Sequence, residues 1–125
     1  MKNALAVGLG GFLGSIGRYL IGIVVLRLFD APVFPYATLV VNVVGCLLIG
    51  LLGGLAESTQ LISPAMQLFL MVGLLGGFTT YSAFGYQTAT LAHDGRMLLA
   101  VLNVSAHLVL GLSAVWFGGL IAKQI

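Results

Sequence analysis

Charge is what this sequence has least of: five Lys and Arg and three Asp and Glu make up 6% of its 125 residues, where a soluble domain carries roughly a quarter. With 60% hydrophobic residues beside that deficit, a water-soluble globule is excluded. The few charges stand singly, so no basic run is available to grip a phosphate backbone, and nucleic acid is not expected as a partner. Proline is scarce at three residues, and the eighteen glycines follow no G-x-y period, which excludes collagen and low-complexity disorder. The one cysteine, Cys46, has neither a disulfide partner nor Cys or His at metal-ligand spacing, so packing is its expected role.

What the sequence has instead is apolar length. A membrane span takes about 20 residues, and the chain divides into four such stretches, at about 4–26, 36–55, 64–92 and 97–121. Lys2 before an apolar stretch imitates a secretory signal, but further spans follow and no small-residue cleavage site leads into a soluble region. Asp30, Ala31, Pro32 and Pro35 read as a turn. Glu57 to Ser63 reads as a polar connection, Pro64 as the first turn of a helix, and His93 to Arg96 as another turn. The expected architecture is an all-α membrane protein, one four-helix transmembrane domain over residues 1–125, with nothing left for a soluble catalytic or nucleotide-binding unit.

The third stretch is too long for a simple span and polar in its middle, where Gly76, Gly77, Phe78, Thr79, Thr80, Tyr81 and Ser82 follow one another. This composition predicts a helix broken near residues 76–80. Non-helical backbone at bilayer depth survives only where protein buries it or it lines a cavity. The carbonyls that end the first half-helix carry negative partial charge, so a cation is their natural ligand. Orientation follows Lys and Arg near the span ends. Lys2 and Lys123 fall on one side, Arg27 and Arg96 on the other, which is no bias; the chain is expected to insert both ways and pair antiparallel.

Polar groups inside the spans are functional candidates because each is costly there. All three acids lie in connections, which weakens a proton-driven exporter, although His107 in the fourth span keeps that alternative open. Arg18 either snorkels or places a positive charge at the mouth of an anion pathway. Asn42 either bonds a neighbouring helix or offers its amide to a permeating anion, with Thr38 one turn earlier on the same face. Thr79, Thr80 and Ser82 can bond back to helix carbonyls. Tyr81 and Phe84, three apart, can face one side as core or as anion-contacting ring edges. Asn103, His107 and Gly111 form a semi-polar stripe at four-residue spacing.

Three runs carry a resemblance that covers essentially the whole chain: GGFLGSIGRY from Gly10 to Tyr19, FPYATLVVNVVG from Phe34 to Gly45, and GLLGGFTTYSAFGYQT from Gly73 to Thr88. They resemble the CrcB or Fluc fluoride channels. The resemblance implies a passive fluoride channel of the cell (inner or plasma) membrane, an antiparallel dual-topology homodimer with two pores among membrane lipid. It also implies a structural sodium ion at the dimer interface, held by backbone carbonyls of Gly76 and Thr79. By the same resemblance Arg18 lies near the aqueous vestibule, Asn42 is a pore amide, and Tyr81 and Phe84 occupy the stacked aromatic positions. With Thr38, Ser82, Asn103 and His107 they make up the expected fluoride pathway. Tyr81 stands where Phe is commoner, Ala83 for Thr, Gly85 for Ser and Gln87 for Glu, while Asn103 and His107 stand where Tyr and Ser are frequent. Two other classes remain beside this reading: a small proton-coupled exporter, and a non-transporting membrane interaction protein held by its glycine faces.

Overall fold

The computed structural model describes residues 1–29, 33–58 and 62–125. The turn expected at Asp30 to Pro35 and the connection expected at Glu57 to Ser63 therefore lie partly outside the described residues. Among those described there is no strand, and four helical stretches are long and apolar enough to cross a membrane: Lys2–Leu28, Tyr36–Glu57, Pro64–His93 and Met97–Ala122. The chain is a multi-pass membrane protein.

Helix α1 (Lys2–Leu28) carries Arg27 in its last turn, where a cation complements the partial negative charge of the terminal carbonyls. Helix α2 (Tyr36–Ser58) opens just after Pro35, whose carbonyl accepts the Leu39 N–H at 3.2 Å. It runs past the expected end near residue 55, so the exposed Glu57 lies in its last turn rather than in the connection. The third stretch starts with α3 (Pro64–Gln67), where Pro64 gives up no needed donor and the Ser63 hydroxyl accepts the Met66 N–H at 3.3 Å. Leu68–Leu75 then winds as a π-helix and α4 (Gly76–Phe78) follows. Thr79 (φ −83°, ψ 159°) and Thr80 (φ −152°, ψ 118°) are extended. Helix α5 (Tyr81–His93) begins with the Thr80 hydroxyl accepting the Ala83 N–H.

Gly95 ends α5 because the turn needs φ +74°, which a Cβ disfavours. Its N–H bonds the Ala92 carbonyl at 3.1 Å and the Arg96 N–H bonds that of Leu91 at 2.8 Å, the paired closure of a Schellman motif. Helix α6 (Met97–Ala122) then returns across the membrane.

Packing rests on backbone contact rather than on a bulky core; Val41 and Asn103 are the largest fully buried side chains among the described residues. In lipid no hydrophobic gain drives helices together, so small residues that allow close approach decide which faces meet. Helix α1 lies against the 64–78 run, where Gly10 faces Gly73, Gly11 faces Gly77 and Gly14 meets the backbone of Leu74 and Phe78. Helix α2 lies along α6, where Gly50 meets the Val115 backbone and Gly118 meets the backbone of Leu47 and Leu51. Helix α5 leans on α6. These pairings leave a space between α2, the end of the 64–78 run, α5 and α6, and the polar residues gather there.

Candidate functional site

That space is a cavity of about 410 Å³ whose lining includes Asn42, Cys46, Thr80, Tyr81, Phe84 and His107. The three-residue step from Tyr81 to Phe84 brings their rings onto one side of α5. Their centroids are 5.5 Å apart at an interplanar angle of 52°, and Phe84 meets the His107 ring of α6 at 4.4 Å and 44°. The row Tyr81, Phe84, His107 is thus tilted ring on ring. The edges of such rings carry positive partial charge. Tyr81 is 84% exposed in the protomer.

Asn42 faces the extended residues from α2. Its Oδ1 accepts the Thr80 N–H at 2.9 Å and its Nδ2 donates to the Thr80 carbonyl at 3.2 Å. An amide nitrogen carries two hydrogens, so one remains for a third partner. In a continuous helix the Thr80 N–H would bond the carbonyl of Gly76, four residues back. Here Asn42 takes that donor and the Gly76 carbonyl loses its helical partner. The Leu75 carbonyl, by contrast, is doubly engaged, by the Thr79 N–H at 2.9 Å and the Thr79 hydroxyl at 2.8 Å. Among the described residues no group of three or more His, Cys, Asp or Glu could hold a metal ion. The donors this region offers a cation are backbone oxygens, which suit a hard ion.

On the α6 side Asn103 is fully buried, lines neither cavity, and donates from Nδ2 to the Thr88 hydroxyl at 2.8 Å. That hydroxyl donates to the Phe84 carbonyl at 2.8 Å. His107 Nδ1 lies 2.9 Å from the Asn103 carbonyl, which can only accept, so Nδ1 carries the hydrogen and, in the neutral ring, Nε2 is an acceptor. Asn103 Oδ1, His107 Nε2 and Gln87 Oε1 are all buried without a hydrogen-bond partner in the protomer. All three are acceptors, so what satisfies them is a donor such as water rather than a bare anion.

Arg18 and Thr38 line a second cavity, of about 320 Å³, beside Leu26, Ala37 and Ala83. Thr38 and Asn42 therefore serve different cavities although they share a helix face. Thr80 lines both. Ser82 is exposed, its hydroxyl 3.0 Å from that of Thr80. Of the candidate residues, then, Asn42, Gly76, Thr79, Tyr81, Phe84 and His107 border one space, Arg18 and Thr38 border another, and Asn103 and Ser82 stand outside both linings. Sequence reasoning singled out neither Thr80 as the residue shared by the two cavities nor Thr88 as the link from Asn103 to Phe84. The i, i+4 step from Phe84 to Thr88 was the available signal for the second.

A family model described as "CrcB-like protein, Camphor Resistance (CrcB)" matches residues 5–119. A protein of Flavobacterium psychrophilum named fluoride-specific ion channel FluC is 44% identical over 125 residues, the full length of both chains. A protein of the same name from Chlorobaculum tepidum is 47% identical over 123 residues, 98% of this chain and 96% of the relative. One from Clostridium perfringens is 43% identical over 120 residues, 96% and 93% respectively.

Proposed function

We propose that this chain, which belongs to the CrcB-like protein family, is a fluoride-selective channel that lets cytoplasmic fluoride leave the cell passively, with no catalytic step. The observation that carries the reading is the ring row of Tyr81, Phe84 and His107 beside Asn42 on one cavity. A small, strongly hydrated anion enters a membrane pore only where donors replace part of its water shell yet hold it weakly enough to let go. The free amide hydrogen of Asn42, the hydroxyl of Tyr81 and the ring edges are such donors, and Ser82 offers its hydroxyl from the exposed side of Thr80. Arg18, beside Thr38, supplies a positive charge at the mouth, where it raises the local anion concentration. His107 and Asn103 present acceptors, so their part is to hold water and brace Phe84, through the ring contact and through Thr88.

The functional unit in this reading is an antiparallel, dual-topology homodimer in lipid with two pores, each third span broken at Thr79 and Thr80. The even distribution of Lys2, Arg27, Arg96 and Lys123 between the two sides supports it. A structural sodium ion fits between the two broken spans, because the carbonyl of Gly76 has been released from helical bonding and that of Thr79 follows in extended backbone. Bound there, it would supply a positive charge that ties the two subunits' oxygens together.

The direct test is efflux from liposomes that hold only this purified chain. Fluoride should leave down its own gradient with no pH gradient imposed, and chloride should stay behind. Flux that requires a pH gradient would replace this reading with a proton-coupled exporter, and no flux at all would replace it with an interaction protein. Dual topology has its own measurement: a labelled C-terminus should be reachable from both membrane faces in comparable amounts, and a Lys added beside Gln124 should skew the distribution. Finding every C-terminus on one face would overturn the antiparallel pair.

A further inference from the structure

We infer that Asn42 is a positioning residue for the cation site: by taking the Thr80 N–H it keeps the third span from closing into a continuous helix and so leaves the Gly76 carbonyl free to hold a cation. The inference rests on the reading of a sodium site given above, and goes beyond it by assigning the site's existence to a side chain that does not touch the ion.

Only Thr79 and Thr80 separate two helical runs on one axis of sequence, with ψ of 159° and 118° where a helix has about −42°. Rotating those two residues would restore the bond from Thr80 N–H to the Gly76 carbonyl. Nothing in their chemistry forbids it, since Thr is tolerated within helices at a cost of well under 1 kcal/mol. In the bilayer a backbone donor without an acceptor is costly, so the Thr80 N–H goes to whichever acceptor is offered. The side chains of the two threonines are already committed: the Thr79 hydroxyl donates to the Leu75 carbonyl and the Thr80 hydroxyl accepts the Ala83 N–H. That leaves two acceptors in competition for one hydrogen, the Asn42 side chain and the Gly76 carbonyl. The amide wins because it answers both polar groups of Thr80 at once, accepting at 2.9 Å and donating at 3.2 Å. The same two bonds leave a single amide hydrogen facing the cavity. Asn42 therefore couples the two ion sites: the side chain that offers a donor to the anion is the one that releases an acceptor for the cation.

The test compares the full chain with Asn42→Ala and Asn42→Asp. Aspartate keeps the acceptor for the Thr80 N–H and places a negative charge on the anion's route; alanine keeps neither acceptor nor donor. The ¹³C shifts of Thr79 and Thr80 in lipid, which tell extended from helical backbone, should be extended in the parent and in Asn42→Asp and helical in Asn42→Ala. Sodium, compared with a bulky organic cation, should raise the melting temperature of the parent and of Asn42→Asp, and should have no effect on Asn42→Ala. Fluoride efflux should fall at least tenfold in both variants. If Asn42→Ala does not fold, Asn42→Leu, close in shape and without hydrogen bonds, takes its place. Extended shifts in the Ala or Leu variant would overturn the assignment, and so would an undiminished response to sodium. If the parent itself does not respond to sodium, the sodium reading fails alone, and the threonine shifts still decide what Asn42 does.

Discussion

Fluoride efflux is expected to fall by about a hundredfold when Phe84 is replaced by Ile, a rise of about 2.7 kcal/mol in the barrier at 1.36 kcal/mol per factor of ten, while the yield of assembled protein is unchanged. The ring stands in the middle of the row, 5.5 Å from Tyr81 and 4.4 Å from His107, so on the proposed route it is the ring that links the other two. Isoleucine fills a similar volume and costs at most about 1.5 kcal/mol of stability if the ring only packs. It removes the quadrupole, however, and with it the positive edge that the proposed route would turn to the ion. Methionine is the informative partner, since its polarisable thioether makes soft contacts that isoleucine cannot; it should retain more flux. The corresponding change at Tyr81 should do less, because its ring is mostly exposed in the protomer and its hydroxyl already alters the contact. Efflux in Phe84→Ile equal to the parent's, at equal recovery of assembled protein, would show that these rings are packing and not pathway.

The second large effect is on folding. Gly14→Ala is expected to lower stability by about 1–3 kcal/mol, the cost of forcing extra volume into a tight contact, read as a matching loss of folded protein in a denaturation series. A Cβ on Gly14 would run into the Leu74 carbonyl and stand 2.8 Å from the Phe78 nitrogen. Both are backbone, which cannot swing aside as a side chain can. Gly77 is held the same way from the other side, with a Cβ meeting the Gly11 carbonyl and lying 2.9 Å from its Cα. Because Phe78 precedes the extended threonines, pushing α1 away also moves the start of the site, so flux should drop even in protein that survives. Gly8→Ala is the matched comparison: no atom stands within 4 Å of its new Cβ, and alanine is the better helix former by about 1 kcal/mol. Equal stability for the two variants would mean that the glycine contacts of α1 do not hold the bundle.

Sequence alone made the all-helical membrane class and the four apolar helices legible, because a deficit of charge and runs of about 20 apolar residues leave no other way to satisfy the backbone in lipid. The start at Pro64 was legible too, since proline lacks the donor that a first turn does not use, and Ser63 before it is a good cap. The π-helical turns at Leu68–Leu75 were not, since no residue type marks them. Within the site, Tyr81 and Phe84 could be paired because three residues is a local distance. The Asn42 contact with Thr80 spans 38 residues and joins two helices, so sequence could name Asn42 as a polar residue in need of a partner but not say which. The same limit hid the split between Thr38 and Asn42: one turn apart on α2, they look equivalent until α1 and α5 divide the space in front of them.

That division has an electrical consequence. Arg18 lies ten residues from Leu28, about 15 Å along a helix that rises 1.5 Å per residue, and lines the second cavity with Thr38 and Thr80. In the proposed pore this recess would be water-filled, and a water-filled recess takes the potential of the solution it opens to. In the same reading the first cavity, lined by Asn42 and His107, would open to the other solution. The membrane voltage would then not fall evenly across the bilayer but be compressed into the partition between the two recesses, where Thr80 lines both and Asn42 is bonded to it. A full crossing of 100 mV is worth about 2.3 kcal/mol per charge, and an ion on the proposed route would collect most of that within a few ångströms of Asn42.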